Sequence, residues 1–238
     1  TKKIPPALLT NCAGPVTFRL ILSWKNDDNS GSNPPAAVDN ISLVSQAPAR
    51  PVSFGTFTID NTLANAGTNF TTFTEAITNL NVSCITGQVV FNVTAGQTFT
   101  EVIPPLLASG LAGMPIIFQK AGVGANPIVQ RTDAGSLTTS TFGGQGDAVI
   151  TIEGSDYVTF DGIDVSTSDQ GIEYGYFLRK KADDGCKNVT IKNATITMTK
   201  GTSAYVAGIY SSNHDASTSV GSATGITITT TNGRNENL

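Results

Sequence analysis

The sequence predicts an all-β chain whose larger part is a stack of parallel β-coils, and three observations predict it. A strand motif recurs: Tyr157-Val-Thr-Phe-Asp-Gly-Ile-Asp-Val165 lies on Asn188-Val-Thr-Ile-Lys-Asn-Ala-Thr-Ile196 after a slide of 31 residues. A further slide of 37 lays the front half on Gly225-Ile-Thr-Ile-Thr-Thr230. Recurrence at such a period marks a solenoid, in which each unit buries its apolar face against its neighbours. The composition agrees, with 33 threonines, 24 glycines and 18 asparagines among 238 residues. β-Branched threonine suits the outward face of a strand, and Asn and Gly suit the turns between strands. Finally, the residues that favour helices never accumulate into long runs, and one segment alone carries a convincing helical period.

Residues 1–46 read as a separate part. Val16-Thr-Phe-Arg-Leu-Ile-Leu-Ser-Trp24 alternates at its start and thickens into a buried run, as a central sandwich strand does. A polar turn through Pro34-Pro35 follows, and Ala37-Val-Asp-Asn-Ile-Ser-Leu43 forms a second strand. Two strands bury no core of their own, so their partners are expected upstream or on another molecule. Phe18 to Asp27 together with Asn33 to Leu43 resembles the closing strands of jelly-roll, MAM-like modules in secreted proteins of the Bacteroidetes. That resemblance implies calcium beside the last strand, for which Asp27, Asp28 and Asp39 offer hard oxygen ligands. Their spacing departs from the D-x-[DN]-x-[DN]-G loop, with Gly31 followed by Ser32, and plain turn-making is the competing reading.

Ala47-Pro-Ala-Arg-Pro51 has the composition of an interdomain linker, and residues 52–238 form the second part. Gly55-Thr-Phe-Thr-Ile59 reads as an edge strand. Thr72 and Glu75 then fit a capping box, and Phe70, Phe73, Ile77 and Leu80 recur at helical spacing. This helix, near 71–80, is expected to cover the first coil. Short strands follow at 88–93, 114–119 and 147–153 before the recurring motif. Only Gly154-Ser-Asp156 separates Val149-Ile-Thr-Ile152 from Tyr157-Val-Thr-Phe160, too little for a crossover helix, so the chain either bends into a new sheet or reverses as a hairpin. The bending alternative gives two strands per coil, with 166–185 and 200–223 leaving as loops. Alternation then points Val149, Ile150 or Ile152, Val158, Phe160, Ile163, Val165, Val189, Ile191, Ile196, Ile226 and Ile228 inward. Gly162 and Asn193 align at a turn.

Phe54-Gly-Thr-Phe-Thr-Ile-Asp-Asn61, Val89-Val-Phe-Asn-Val93, Pro115-Ile-Ile-Phe-Gln-Lys120 and Asp156-Tyr-Val-Thr-Phe-Asp-Gly-Ile-Asp164 resemble the β-helix regions of large Bacteroidetes surface proteins exported by the type IX route. The resemblance covers most of residues 52–230. It implies a right-handed, pectin-lyase-like parallel β-helix, here truncated at its C-terminal end, and an extracellular or outer-surface location. It also implies partners among other domains of one larger protein, surface polysaccharide or the secretion machinery. The opening Thr1-Lys-Lys-Ile carries no signal peptide, so the chain reads as a piece of a longer polypeptide.

Several function classes fall away. The 14 Lys and Arg are scattered against 18 Asp and Glu, which argues against nucleic-acid binding. Arg179-Lys-Lys181 is the one basic cluster, and no stretch is long and apolar enough to cross a membrane. His214, the single histidine, stands in a polar loop. Cys12, Cys84 and Cys186 lack metal or redox spacing, leaving either one disulfide with a free thiol or three buried thiols. Glycoside hydrolysis needs two carboxylates facing across a sugar bond. Asp156, Asp161 and Asp164 are the candidates, and only a turn at Gly162 brings the last two together. The Asn-Thr-Asp, Asp-Asp, Gly-His-Gly and Arg-Ile-Lys elements of polygalacturonases are missing, apart from Asp183-Asp184. Arg179 and Lys180 are candidate lyase cations. Tyr157, Tyr174, Tyr176, Phe177, Tyr205 and Tyr210 are a candidate sugar-stacking surface, with buried strand packing as the competing reading where the alternation of 172–178 is imperfect. The expectation is a non-enzymatic structural or adhesive segment with no catalytic, cofactor or metal residues, and with a carbohydrate-binding module and then a polysaccharide lyase or hydrolase as alternatives.

Overall fold

The structure, a computed structural model, describes residues 50–135, 146–182, 184–200 and 206–212. The strands expected at 16–24 and 37–43, the aspartates 27, 28 and 39, and Cys12, Asp183, Tyr205, His214, Ile226 and Ile228 lie outside the described residues.

The described strands form three sheets, and every pairing between them is parallel. The first sheet begins with β1 (Gly55–Ile59) and β2 (Asn69–Phe70). After the helix α1 (Phe73–Asn81), β3 (Val89–Thr94) joins the first sheet and β4 (Thr98–Thr100) the second. The chain then visits the three sheets in a fixed order. β5 (Ile116–Ala121), β6 (Ile128–Arg131) and β7 (Ala148–Glu153) take the first, second and third. So do β8 (Val158–Asp161), β9 (Asp164–Thr167) and β10 (Tyr174–Arg179), and then β11 (Thr190–Lys192), β12 (Ile196–Thr197) and β13 (Ala207–Ser211). In the tier that starts with β3, Leu106 alone holds the third position, bridging to Ile152.

A parallel ladder sets equivalent positions of successive tiers side by side, so a sequence repeat becomes a register. The slide of 31 is that register: Thr159 pairs with Thr190, Phe160 with Ile191, Asp161 with Lys192, and Val165 with Ile196. The turn expectation holds as well. Gly162 has φ 69° and Asn193 has φ 55°, both left-handed. Another aligned pair, Tyr157 at φ 51° and Asn188 at φ 55°, marks the entry to β8 and β11.

Three expectations are corrected. β1 is not an edge strand, because β2 pairs along its free side, opposite β3. The hairpin alternative fails, because β7 and β8 belong to different sheets. Each full tier has three strands rather than two: the expected loops at 166–185 and 200–223 contain β10 and β13. Tyr174 to Leu178 of β10 is buried on both faces, so it carries no alternation to read.

The core is organised by one column of rings. Phe57, Phe91, Phe118 and Phe160 are register partners along the first sheet, with successive centroids 5.6, 4.6 and 4.9 Å apart. Strands in a sheet stand about 4.8 Å apart, so rings in register stack without leaving the ladder. Val149, Ile150 and Ile152 are all buried in this core, as are Val158, Ile163, Val165 and Val189. Ile191 and Ile196 pack on the core but stay half-buried, since β11 and β12 end their sheets among the described residues.

The helix is tied at both ends to residues 101–108. Thr72 Oγ1 accepts from the Glu75 amide at 3.1 Å. The Glu75 carboxylate accepts from the Thr71 amide and hydroxyl, so the expected box is shifted by one residue. Glu101, which sequence reasoning missed, accepts from the amides of Phe73 and Thr74 at 2.9 and 2.8 Å. At the other end Asn81 donates to Pro105 O and accepts from the amides of Leu107 and Ala108. Phe73, Ala76, Ile77 and Leu80 are thereby pressed into the core. Glu101→Ala strips two helix-terminal donors of a charged acceptor and is expected to cost roughly 1–2 kcal/mol, read as a lowered urea midpoint. An unchanged midpoint would show that water caps this helix equally well.

Candidate functional site

Turns join the sheets in three columns, and the described candidate carboxylates lie on two of them. The first column, between the first and second sheets, begins with Asp60 at the end of β1. Its Oδ1 accepts from the Thr62 amide (2.8 Å), the Thr62 hydroxyl (2.6 Å) and Gln97 Nε2 (2.6 Å), and its Oδ2 accepts from the Thr94 hydroxyl at 2.9 Å. Burial works to raise this carboxyl, but the combined hydrogen bonds outweigh it and hold Asp60 well below the usual carboxylate range.

Asp161 and Asp164 stand in the same column on either side of Gly162. The turn therefore brings both to one corner, as the sequence required of any carboxylate pair. Each is committed there to its neighbours. Asp161 Oδ1 accepts from Asn193 Nδ2 at 2.7 Å, and its Oδ2 lies 3.2 Å from Lys192 Nζ. The Asn193 bond, then Lys192, holds this carboxyl below its ordinary value against a smaller cost of desolvation. Asp164 Oδ1 accepts from Asn126 Nδ2 and from the Thr195 amide, both at 2.7 Å. Asn126 Nδ2 also donates to the Asn193 carbonyl at 2.8 Å. One asparagine from the tier before and one from the tier after thus lace the turn at Gly162. Asn126 was missed by sequence reasoning; its only local signal is the Asn126-Pro127 pair.

Asp156 sits elsewhere, on the column between the third and first sheets. Its Oδ1 accepts from the Lys187 amide at 2.8 Å, which continues the bridge between these two residues. Burial, with Asp184 adding repulsion, pushes Asp156 up. Burial also raises Asp184, despite Lys187 and Lys181 nearby. Cys186 lies in this corner, fully buried, with Sγ 3.4 Å from the carbonyls of Ile152 and Arg179. Burial pushes its thiol up to about 11, so it is a poor nucleophile at neutral pH. Cys84 is disulfide-bonded and Cys186 keeps its thiol, which selects the first of the two cysteine alternatives.

The candidate cation and aromatic residues are also largely absorbed into the fold. Arg179 Nε and Nη2 bind Glu153 Oε2 at 2.9 and 2.6 Å across the β7–β10 register, and the guanidinium lies 5.6 Å from the Phe177 ring centroid. Among the described residues, Lys180 makes no hydrogen bond or ion pair that assigns it a role. Tyr174 and Tyr176 are 1% and 0% exposed and Phe177 is 0% exposed, so they form no flat platform. The Tyr176 hydroxyl instead donates to the Ile163 carbonyl at 2.7 Å, inside the core. Tyr210 stacks on Tyr174 at 4.7 Å and is half-buried, as is Tyr157. Among the described residues, no group of three or more His, Cys, Asp or Glu is arranged to hold a metal ion, and no helix is long and apolar enough to cross a membrane.

Two aspartates make a pH test with opposite signs. Asp60 has a depressed folded value, so its stabilisation is present above the ordinary carboxylate value of about 3.9 and is lost as pH falls toward the folded one. Asp156 has a raised folded value, so its favourable state exists at low pH and is lost as pH rises. Asp60→Asn is expected to lower the denaturation midpoint at pH 7. Asp156→Asn, which keeps an acceptor for the Lys187 amide, is expected to leave it equal or higher. Both differences should shrink when the midpoints are measured near pH 3.

Compared with family models, characterised proteins and solved structures, the chain matches none.

Proposed function

We propose that the three parallel sheets wind as a right-handed β-helix and that this segment is a rigid, non-catalytic part of a larger cell-surface or extracellular protein, structural or adhesive in role. The observation that carries the reading is where the side-chain chemistry goes. Asp161, Asp164 and Asp60 bind turn donors, Asp156 accepts from a backbone amide of the next tier, Arg179 is paired with Glu153, and Tyr174 and Tyr176 are buried. A hydrolytic pair would need its carboxylates open toward a substrate. The right hand follows from the strong preference of strand–crossover–strand connections between parallel strands. The helix α1, lying after the last strand of the first sheet with its apolar face in the core, supplies the cover that the end of such a stack requires.

An experimental structure tests the hand directly: left-handed winding would overturn that part. Incubation with a panel of plant and bacterial polysaccharides tests the role. No turnover is expected, and turnover that disappears on Asp161→Asn would replace this reading with the hydrolase alternative.

A further inference from the structure

Arg50 and Pro51 belong to the segment whose composition reads as a linker, yet the chain is already fastened there, and to both ends of α1. Arg50 divides its fork: Nη1 donates to the Asn69 carbonyl of β2, and Nη2 donates to Asn65 Oδ1. The guanidinium carbon also lies 4.0 Å from the ring centroid of the buried Phe70. Asn65 passes the contact on, because its Nδ2 donates to Glu75 Oε1 at 2.6 Å in the first turn of α1. Two residues after Arg50, the buried Val52 gives its amide to Ser83 Oγ at 2.8 Å. That hydroxyl donates to the Asn79 carbonyl in the last turn of α1, at 2.6 Å. Arg50 therefore reaches the start of the helix through Asn65, and Val52 reaches its end through Ser83.

These ties are separate from the apolar face of α1, which Phe73, Ala76, Ile77 and Leu80 supply. A helix of nine residues has little stability of its own and depends on what holds it in place. We propose that residues 50–52 are a strap that holds α1 on the stack, with Arg50 as its latch, so that a displacement of the chain before residue 50 is passed to the covering helix. Arginine suits the latch because its planar fork makes two bonds and a ring contact at once, which a lysine ammonium does not reproduce. Pro51 restricts the backbone between the two attachments, so they act as one piece. The use of such a strap rests on the role proposed above, a segment joined to a larger protein. The strap itself rests on its contacts alone.

Hydrogen exchange of the full chain and of its Arg50→Ala, Arg50→Lys and Ser83→Ala variants tests the proposal. Arg50→Ala is expected to speed exchange of the α1 amides from Ile77 to Asn81 by about tenfold, while ladder amides between β5 and β8 keep their rates. Arg50→Lys, which keeps the cation but not the fork, is expected to lie between Arg50→Ala and the unmodified chain. Ser83→Ala releases the other attachment. The double variant Arg50→Ala/Ser83→Ala is expected to exchange little faster than the faster single one, because a strap loosened at either end no longer holds. Unchanged α1 exchange in Arg50→Ala would overturn the proposal, and so would two single effects that simply add, or an equal loss of protection in β5 and β8. Full protection in Arg50→Lys would overturn the fork as the latch. Polysaccharide turnover would replace the role proposed above and leave these exchange results untouched, so the two readings fail separately.

Discussion

Replacing Phe118 with alanine is expected to destabilise the protein by about 3–5 kcal/mol, the range for removing a fully buried aromatic side chain. Phe118 is 0% exposed and lies between Phe91, 4.6 Å away at 9° between planes, and Phe160, 4.9 Å away at 4°. It also stacks on Phe73 of α1 at 6.0 Å, so the same ring joins the column to the helix. Alanine therefore removes the transfer free energy of the ring and three aromatic contacts, and leaves a cavity that the sheet has little means of closing. The strands on both sides are fixed by the β3–β5 and β5–β8 ladders, which hold their spacing whatever fills it. Gln119→Ala, one residue along on the outward face, gives up one hydrogen bond to Asn92 and is expected to cost about 1 kcal/mol or less. Denaturation midpoints of the two variants check the contrast. A loss for Phe118→Ala as small as that for Gln119→Ala would mean that the column is decorative and that the ladders alone hold the stack.

How much of this was legible in the sequence depends on length and symmetry. The register of β8 on β11 was, because the 31-residue slide preserved apolar positions and turn formers together. The helix was legible because Phe73, Ile77 and Leu80 keep its period beside a threonine cap. The aromatic column was present in every motif that carried the β-helix resemblance, but at intervals of 34, 27 and 42 residues, which no fixed slide superposes. A strand of two residues, such as β2, is shorter than any period that would reveal it. The third sheet was hidden for the opposite reason: β10 is covered on both faces and shows no alternation. At the candidate site, Asp161, Asp164 and the turn at Gly162 and Asn193 were legible as one corner, but Asp60 and the partners from distant tiers were not. Asp60 finds Thr94 and Gln97, and Asn126 reaches Asn193, across separations of 34, 37 and 67 residues that only the tier spacing brings together.

Gly175→Ala is expected to separate β10 from β13, while the neighbouring Gly208→Ala is tolerated. A methyl group at 175 would lie 2.6 Å from the Gly208 carbonyl oxygen, 2.6 Å from Ile196 Cγ2 and 3.2 Å from Val165 Cγ2. The two side chains have some freedom to turn aside, but the carbonyl belongs to the adjacent strand and moves only if the ladder opens. At 208 the nearest atom to an added methyl is Ile196 Cγ2 at 3.5 Å, an ordinary contact. Overpacking a filled core costs about 1–3 kcal/mol, occasionally more, and the backbone contact puts Gly175→Ala at the upper end. The damage should be local to the third sheet. The amides of Ala207 and Ser212, which donate to Glu173 O and Leu178 O at 2.9 and 2.8 Å, are expected to lose hydrogen-exchange protection. Amides between β5 and β8 should keep theirs, because that ladder lies in another sheet. If both glycine variants kept full protection at Ala207 and Ser212, the close approach of β10 to β13 would be wrong. If protection fell in all three sheets at once, the tiers would unfold as one cooperative unit, with the missing side chain at 175 as a condition for the whole stack rather than for one of its walls.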